Sequence, residues 1–125
     1  MATGRVKSAQ GNMLIAAANT GTIIVPARAG RQYTVIDGWL RAKGGNATQL
    51  TLVCIQDTTT GTVAASWAAA ALTTAAGVVR IGAANTTATN LLTALGMGEG
   101  IKLITTGTDE TTMTSIDYYI EYVES

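Results

Sequence analysis

Three glycines at alternate positions, Gly96, Gly98 and Gly100, form the stretch of this 125-residue chain that is most suggestive of a ligand-binding loop. Glycine-rich loops bind phosphate through backbone N–H groups when they follow a strand and open a helix. Here the spacing is G-x-G-x-G, the β-branched residues that follow are typical of a strand, and Glu99 would repel a phosphate. We therefore predict a turn into a strand, in which each glycine supplies a positive φ or a close approach.

The side chains that nucleophilic catalysis requires are scarce in this sequence. It contains no histidine and one cysteine, so it cannot supply a Ser-His-Asp triad, a Cys-His pair or a zinc site. Cys54 lies in the apolar run "LTLVCIQD", where a lone thiol behaves as a small buried hydrophobic group. The sequence therefore predicts a protein that is not an enzyme and that binds no cofactor or metal.

Three acidic residues in two segments are candidate sites. Asp109 and Glu110 in "TGTDETT" lack the regularly spaced oxygen ligands of a calcium loop, so we predict a solvated turn. Asp37 stands in the strand-like segment "RQYTVIDGWLRAK", where strict alternation would place it on the same face as Tyr33 and Val35. We interpret Asp37 as a surface or paired carboxylate rather than a general base.

The charge of the chain is low and unevenly distributed. Charged residues make up 13% of the sequence, hydrophobic residues 47%, and the formal net charge is zero, which argues against nucleic acid and anionic membranes as partners. The N-terminal third is basic and the C-terminal quarter is acidic. We expect these two regions to meet within one subunit, because complementary charges attract at short range. The alternative is that they meet between subunits.

The turn signals and the alternation of apolar residues predict an all-β fold. About eight short strands are separated by turns every 8 to 15 residues, which is typical of a two-sheet antiparallel β-sandwich and most of all of a jelly roll. Residues 63–77 are predicted to form a strand, a turn and a second strand, although their many alanines favour a helix by propensity. We predict a flexible N-terminal arm over residues 1–11 and a single domain over residues 12–125. The start of the chain does not fit a signal peptide, which implies synthesis in the cytoplasm.

Aromatic residues are rare, at 5% of the chain, so each one matters to packing or contact. Tyr118 and Tyr119 must point to opposite faces of their strand, so one of them lies outside the core. Glu99, held among glycines at one end of the sandwich, could face basic residues of a partner, and Glu99→Lys would then weaken assembly with little effect on the melting temperature. The predicted subunit-interface residues are Trp39, Trp67, Glu99, Tyr118 and Tyr119.

Two segments carry a resemblance to small phage virion proteins. They are "MLIAAANTGTIIVPARAGRQYTVIDGWLRAKGGNA" and "GEGIKLITTGTDETTMTSIDYYIEYVE". The chain is similar in general plan to bacteriophage capsid decoration (cement) proteins of the jelly-roll kind. The shared plan is a short polar arm followed by the patterns "G-x-x-I-x-V-P-A-x-x-G-x-x-Y-x-V", "G-x-G-I-x-L" and "Y-x-x-E-Y". Similar jelly rolls also occur in phage tail appendages and in trimeric C1q/TNF-like modules.

The resemblance implies a non-enzymatic protein that binds the outer capsid surface of a virion as a homotrimer and bridges subunits of the major capsid protein. Arg5 and Lys7 in the arm would then contact an acidic shell. The alternative function is a receptor- or glycan-binding module of a tail fibre or tail tip, in which Trp39 or Trp67 is exposed as a platform for a sugar.

Overall fold

The computed structural model describes residues 5–15 and 21–125, which form nine β-strands, one 3₁₀ turn and no α-helix. The strands range from two residues in β7 to eleven in β3, and turn residues separate them along the chain. The strands are β1 (Arg5–Leu14), β2 (Gly21–Val25), β3 (Tyr33–Lys43), β4 (Leu50–Asp57), β5 (Val63–Ala68), β6 (Val78–Arg80), β7 (Thr86–Thr87), β8 (Ile101–Gly107) and β9 (Ser115–Glu124), and the 3₁₀ turn is Ala69–Ala71.

The strands form two antiparallel sheets with the connectivity of a jelly roll. The four-stranded sheet has the order β1-β9-β3-β6, and the five-stranded sheet has the order β2-β8-β4-β5-β7. The hydrogen-bonded pairs β1·β9, β2·β8, β3·β6 and β4·β5 are nested along the chain, as in a long hairpin rolled up into a sandwich. The predicted fold class is therefore confirmed, although β1 and the two-residue strand β7 lie outside the predicted strands. The second strand predicted within residues 63–77 is wrong, because the 3₁₀ turn Ala69–Ala71 follows β5 and no strand begins before Val78.

The core lies between the two sheets and is built from alternate residues of each strand. On β3, Tyr33, Val35 and Leu40 point inward and are fully buried. A β-bulge between Val35 and Asp37 shifts the alternation by one residue, so that Asp37 points outward instead of sharing the face of Tyr33. The strict alternation predicted for this strand is therefore wrong beyond Val35, because a bulge adds a residue that no polarity pattern reveals.

The first strand corrects the predicted domain boundary. Residues 5–11 lie in β1 rather than in a flexible arm, and each is paired with a residue of β9, from Arg5 with Glu124 to Gly11 with Tyr118. Residues 1–4 of the predicted arm lie outside the described residues. β1 is an edge strand whose side chains are mostly exposed, so its sequence lacks the apolar alternation of a half-buried strand.

The glycine stretch is a turn into a strand, as predicted. Gly98 has a φ of +80°, a left-handed conformation that favours glycine. A Cβ atom on Gly100 would lie 2.2 Å from the carbonyl oxygen of Val25, so the two backbones pass too closely for any side chain. β8 follows directly at Ile101, which excludes the strand-to-helix geometry of the phosphate-binding loops considered above.

Basic residues of the first third meet acidic residues of the last quarter within this chain. Lys7 Nζ lies 2.7 Å from Glu124 Oε2, and Lys43 Nζ lies 3.6 Å from Asp117 Oδ2. Arg28 also approaches Glu124, at 3.5 Å. The expectation that the two charged regions meet within one subunit is confirmed, because β1 and β3 both pair with the C-terminal strand β9.

Candidate functional site

A stacked pair of aromatic rings stands on the outer surface of the four-stranded sheet. Trp39 on β3 and Tyr119 on β9 are direct cross-strand partners, their ring centroids are 5.9 Å apart, and their planes differ by 15°. Both side chains are half-buried. Cross-strand aromatic pairs stabilise a sheet, and here the pair also presents ring surface to solvent.

Polar residues surround this pair in regular rows across the sheet. The strand register places Gln10 beside Tyr119 on one side and Arg80 beside Trp39 on the other. A row of Ser8, Glu121 and Asp37 runs on one side of the aromatic row, and a row of Asn12, Asp117 and Arg41 runs on the other. We call the surface formed by these ten residues the aromatic face: Ser8, Gln10, Asn12, Asp37, Trp39, Arg41, Arg80, Asp117, Tyr119 and Glu121.

Hydrogen bonds fix the polar groups of the aromatic face. Arg80 binds Asp37 with two nitrogen atoms, and its Nε lies 3.1 Å from Asp37 Oδ2. The hydrogen bond from Arg80 holds the pKa of Asp37 below its usual range. The Tyr119 hydroxyl donates to Glu121 Oε1 at 2.9 Å, which raises the pKa of Tyr119. The interpretation of Asp37 as a surface or paired carboxylate is confirmed, and the face is preorganised by its own contacts.

The outer surface of the five-stranded sheet has a different character. Its apolar side chains include Ile23, Leu52 and Ile104, of which Ile23 is 53% exposed and Leu52 is 36% exposed. Lys102 is the one charged side chain among the outward positions of its described strands. We call this surface the neutral face, and its members are Gly21, Ile23, Leu52, Cys54, Gln56, Ser66, Ala68, Lys102, Ile104, Thr106 and Thr87. Cys54 is buried there, as predicted, and burial raises the pKa of its thiol.

Trp67 is in the core, so its prediction as an interface residue or an exposed sugar platform is wrong. The side chain points inward from β5 and has no exposed surface. Its indole Nε1 donates to the carbonyl oxygen of Val79 at 2.9 Å, which ties the five-stranded sheet to β6 of the other sheet. The surrounding sequence "VAASWAAAA" has small residues on both faces, so nothing in it distinguishes the inward from the outward direction.

The other predicted interface and shell residues take different positions. Tyr118 and Tyr119 face opposite ways, as expected, with Tyr118 packed against the core. Glu99 Oε1 accepts backbone N–H groups of Thr59 and Thr60 at 2.9 and 3.2 Å, so Glu99→Lys would also loosen a contact within the chain. Arg5 is exposed on β1, whereas the ammonium group of Lys7 is paired with Glu124, as described above. Whether these residues contact a partner stays a prediction.

Glu110 has a structural role that the sequence did not reveal. Its Oε1 accepts the backbone N–H groups of Thr48 and Gln49 at 2.7 and 2.9 Å, and its Oε2 accepts those of Thr112 and Met113 at 2.9 and 3.2 Å. Burial raises the pKa of Glu110, but the hydrogen bonds outweigh it and lower the pKa to about 2. Glu110 therefore joins two loops, which goes beyond the solvated turn predicted for it.

The described residues form one open cleft of note and no metal-binding cluster. No group of three or more acidic, cysteine or histidine side chains within residues 5–15 and 21–125 is arranged to hold a metal ion. An open cleft of about 320 Å³ lies beside the 3₁₀ turn, and its lining contains no charged side chain. That lining consists of Ala70, Ala71, Thr73, Ala76, Val78, Val79, Ala83, Ala84 and Asn85.

The fold places the described chain among the jelly-roll β-sandwiches, with one polar, aromatic outer surface and one nearly uncharged outer surface. No protein-family profile matches the chain, and no curated protein or solved structure matches it. Within the described part of the chain, no helix has the length and apolar character needed to cross a membrane.

Proposed function

We propose that this protein is a non-enzymatic structural protein of a phage particle, which binds the outside of the capsid as a homotrimer and stabilises it. The proposal rests on the resemblance to capsid decoration proteins and on the jelly-roll connectivity. The observation that carries it is the neutral face, on which, among the described residues, Ile23 and Leu52 are exposed and Lys102 is the one charged side chain. Its expected location is the virion surface, after synthesis in the host cytoplasm.

A second copy of this chain suits the neutral face better than a charged partner does. Side chains such as Leu52, Ser66 and Ala68 are small or apolar, so two such surfaces can approach closely without stripping water from charges. Exposed aliphatic groups such as Ile23 and Leu52 lose contact with water when the copies meet. Closed symmetric assembly is also the usual state of soluble oligomers. In the proposed trimer the neutral faces of three copies would converge on the three-fold axis, and each copy would contact its two neighbours through different parts of that face.

A basic cluster at one end of the sandwich suits the capsid shell. Arg5 is paired in register with Glu124, while Lys7 and Arg28 both approach the carboxylate of Glu124. Three positive charges around one negative charge leave a net positive patch. We assign this patch, formed by Arg5, Lys7, Arg28 and Glu124, to an acidic surface of the major capsid protein, where the three copies of a trimer would bind with the benefit of multivalency.

Replacement of Leu52 by glutamate is expected to break the assembly and leave the fold intact. The new carboxylate would be buried without a partner in every contact between copies, whereas in a single chain it would be exposed to water. Light scattering at micromolar concentration should give wild type a trimer mass and Leu52→Glu a lower mass. Circular dichroism should show the same β-sheet content for both proteins, although the variant should melt at a lower temperature because it lacks the stabilisation that assembly gives.

The matched control is Gln10→Glu, which adds the same charge to the aromatic face. It should keep the trimer mass of wild type. A wild-type protein with the mass of one chain would refute the trimer, and a Leu52→Glu protein that kept the trimer mass would show that the neutral face is not the contact.

A further inference from the structure

We propose that the aromatic face is a binding site for a neutral polysaccharide, with Trp39 and Tyr119 as its platform. This inference goes beyond the structural role proposed above and does not depend on it, since the neutral face and the basic patch lie elsewhere on the molecule. The site would give the protein a second activity as an adhesin.

The aromatic pair supplies an apolar surface for sugar rings. A pyranose ring has one side covered with C–H groups, which can pack against the face or edge of an aromatic ring in the way that other apolar groups do. Trp39 and Tyr119 are half-buried and stand on the two central strands of the sheet. Because each ring is held by the other at 5.9 Å, little side-chain freedom would be lost on binding.

The flanking rows supply the hydrogen-bonding groups that sugar hydroxyls need. A hydroxyl both donates and accepts, so it suits a surface where carboxylates, amides and guanidinium groups lie side by side. Asp37 and Arg80 form such a pair on one side of the rings. Asn12 Nδ2 donates to Asp117 Oδ1 at 2.8 Å on the other side. These contacts orient the polar groups before any ligand arrives.

The dimensions of the aromatic row favour a chain rather than a single sugar. Gln10, Tyr119, Trp39 and Arg80 lie side by side on four neighbouring strands. Three inter-strand spacings give a row of about 14 Å, which exceeds the width of one pyranose ring. The amide of Gln10 and the guanidinium of Arg80 are exposed at the two ends of the row, where they can bind hydroxyls of flanking sugar units.

The charges of the face favour a neutral polysaccharide over an anionic polymer. Asp37, Glu121 and Asp117 alternate with Arg80 and Arg41 on this surface, and Lys43 beside it is paired with Asp117, so positive charge does not accumulate. Nucleic acids and sulfated polysaccharides bind surfaces with an excess of lysine and arginine, because the release of counterions drives their binding. A neutral chain of hydroxyl-bearing rings has no such requirement.

Tryptophan fluorescence can test the site directly because the chain has two tryptophans in opposite environments. Trp67 has no exposed surface, so a change in emission on adding a ligand reports on Trp39. The purified full-length protein is titrated with mannan, a β-glucan, a galactan and heparin, after a broad glycan array has been screened. We expect one neutral polysaccharide to shift the emission and heparin to have no effect.

Variants of the face separate a sugar site from other uses of the same surface. Trp39→Ala and Tyr119→Ala should each weaken binding of that polysaccharide at least tenfold on the array and by calorimetry. Their assembly masses should equal that of wild type, and their melting temperatures should fall by only about 5 °C. Leu52→Glu should bind with unchanged affinity per chain. The proposal would be overturned by a protein that binds no neutral glycan, by binding to heparin alone, or by a Trp39→Ala variant that loses its assembly mass instead of glycan binding.

Discussion

Replacement of Trp67 by alanine is expected to lower the free energy of unfolding by about 3–5 kcal/mol, the range observed when a large buried aromatic side chain is removed. Trp67 is the largest fully buried side chain of the described residues. Its loss would leave a cavity between the sheets and would deprive the Val79 carbonyl of the indole N–H that it accepts. Because this interaction joins the two sheets, the unfolding transition should also become less cooperative.

Chemical denaturation followed by circular dichroism measures this effect. The matched control is Trp39→Ala, which removes the same side chain from the outer surface, where it is half-buried and stacked on Tyr119. We expect that variant to lose only about 1 kcal/mol, in line with the value of an aromatic pair. Equal losses for Trp39→Ala and Trp67→Ala would contradict the placement of the two residues on opposite sides of the structure.

Replacement of Glu110 by glutamine is expected to lower the stability near neutral pH by about 1–2 kcal/mol. The displacement of the Glu110 pKa from 4.5 to about 2 sets an upper limit of about 3 kcal/mol on what its carboxylate contributes to the free energy of unfolding. Solvent screening of this partly exposed group reduces that contribution. A glutamine side chain has one acceptor oxygen in place of two. It would therefore leave some of the backbone N–H groups of Thr48, Gln49, Thr112 and Met113 without their acceptor.

The effect of Glu110 should depend on pH in a defined direction. Its folded-state pKa is lowered, so its stabilising contribution is complete above pH 4.5 and is lost as the pH falls toward 2. The difference in unfolding free energy between wild type and Glu110→Gln should shrink over this window. Other carboxylates also titrate in this pH range, because hydrogen bonds from Arg80 and Lys7 lower the pKa values of Asp37 and Glu124. The informative quantity is therefore the difference between wild type and Glu110→Gln.

A charge-matched control isolates this effect. Glu121→Gln removes one carboxylate from the aromatic face, where the amide oxygen of glutamine can still accept the hydroxyl of Tyr119. It should change the stability by less than about 0.5 kcal/mol, as is usual for surface substitutions. A Glu110→Gln protein that matched this control at pH 7, or a difference that grew on acidification, would refute the role assigned to Glu110.

The fold was predictable because its determinants are local. Alternation in β9 and the glycine and asparagine turns depend on neighbouring residues, and they were sufficient to predict a two-sheet antiparallel sandwich. The stacking of Trp39 on Tyr119 was not predictable, because it depends on the register between two strands 80 residues apart and on the bulge before Asp37. Glu110 similarly finds its partners in a loop about 60 residues away.

The first strand and Trp67 were misjudged for a different reason. β1 is an exposed edge with polar and small side chains, and β5 carries alanines on both faces, so neither contains the contrast between apolar and polar residues on which the assignment of faces depends. In both cases the direction of the side chains is set by pairing with distant strands: β9 for the first strand, and β4 for β5.

The proposed binding to a capsid can be tested by cosedimentation of the purified protein with empty capsids of the phage proposed to carry it. We predict saturable binding of whole trimers, each with three times the 12.8 kDa mass of one chain, and a marked loss of binding in an Arg5→Glu/Arg28→Glu variant that still assembles. A protein that stays in the supernatant at every concentration of capsids would contradict the proposed capsid binding. If the same protein binds to host cells, the result would favour the receptor-binding module of a tail appendage.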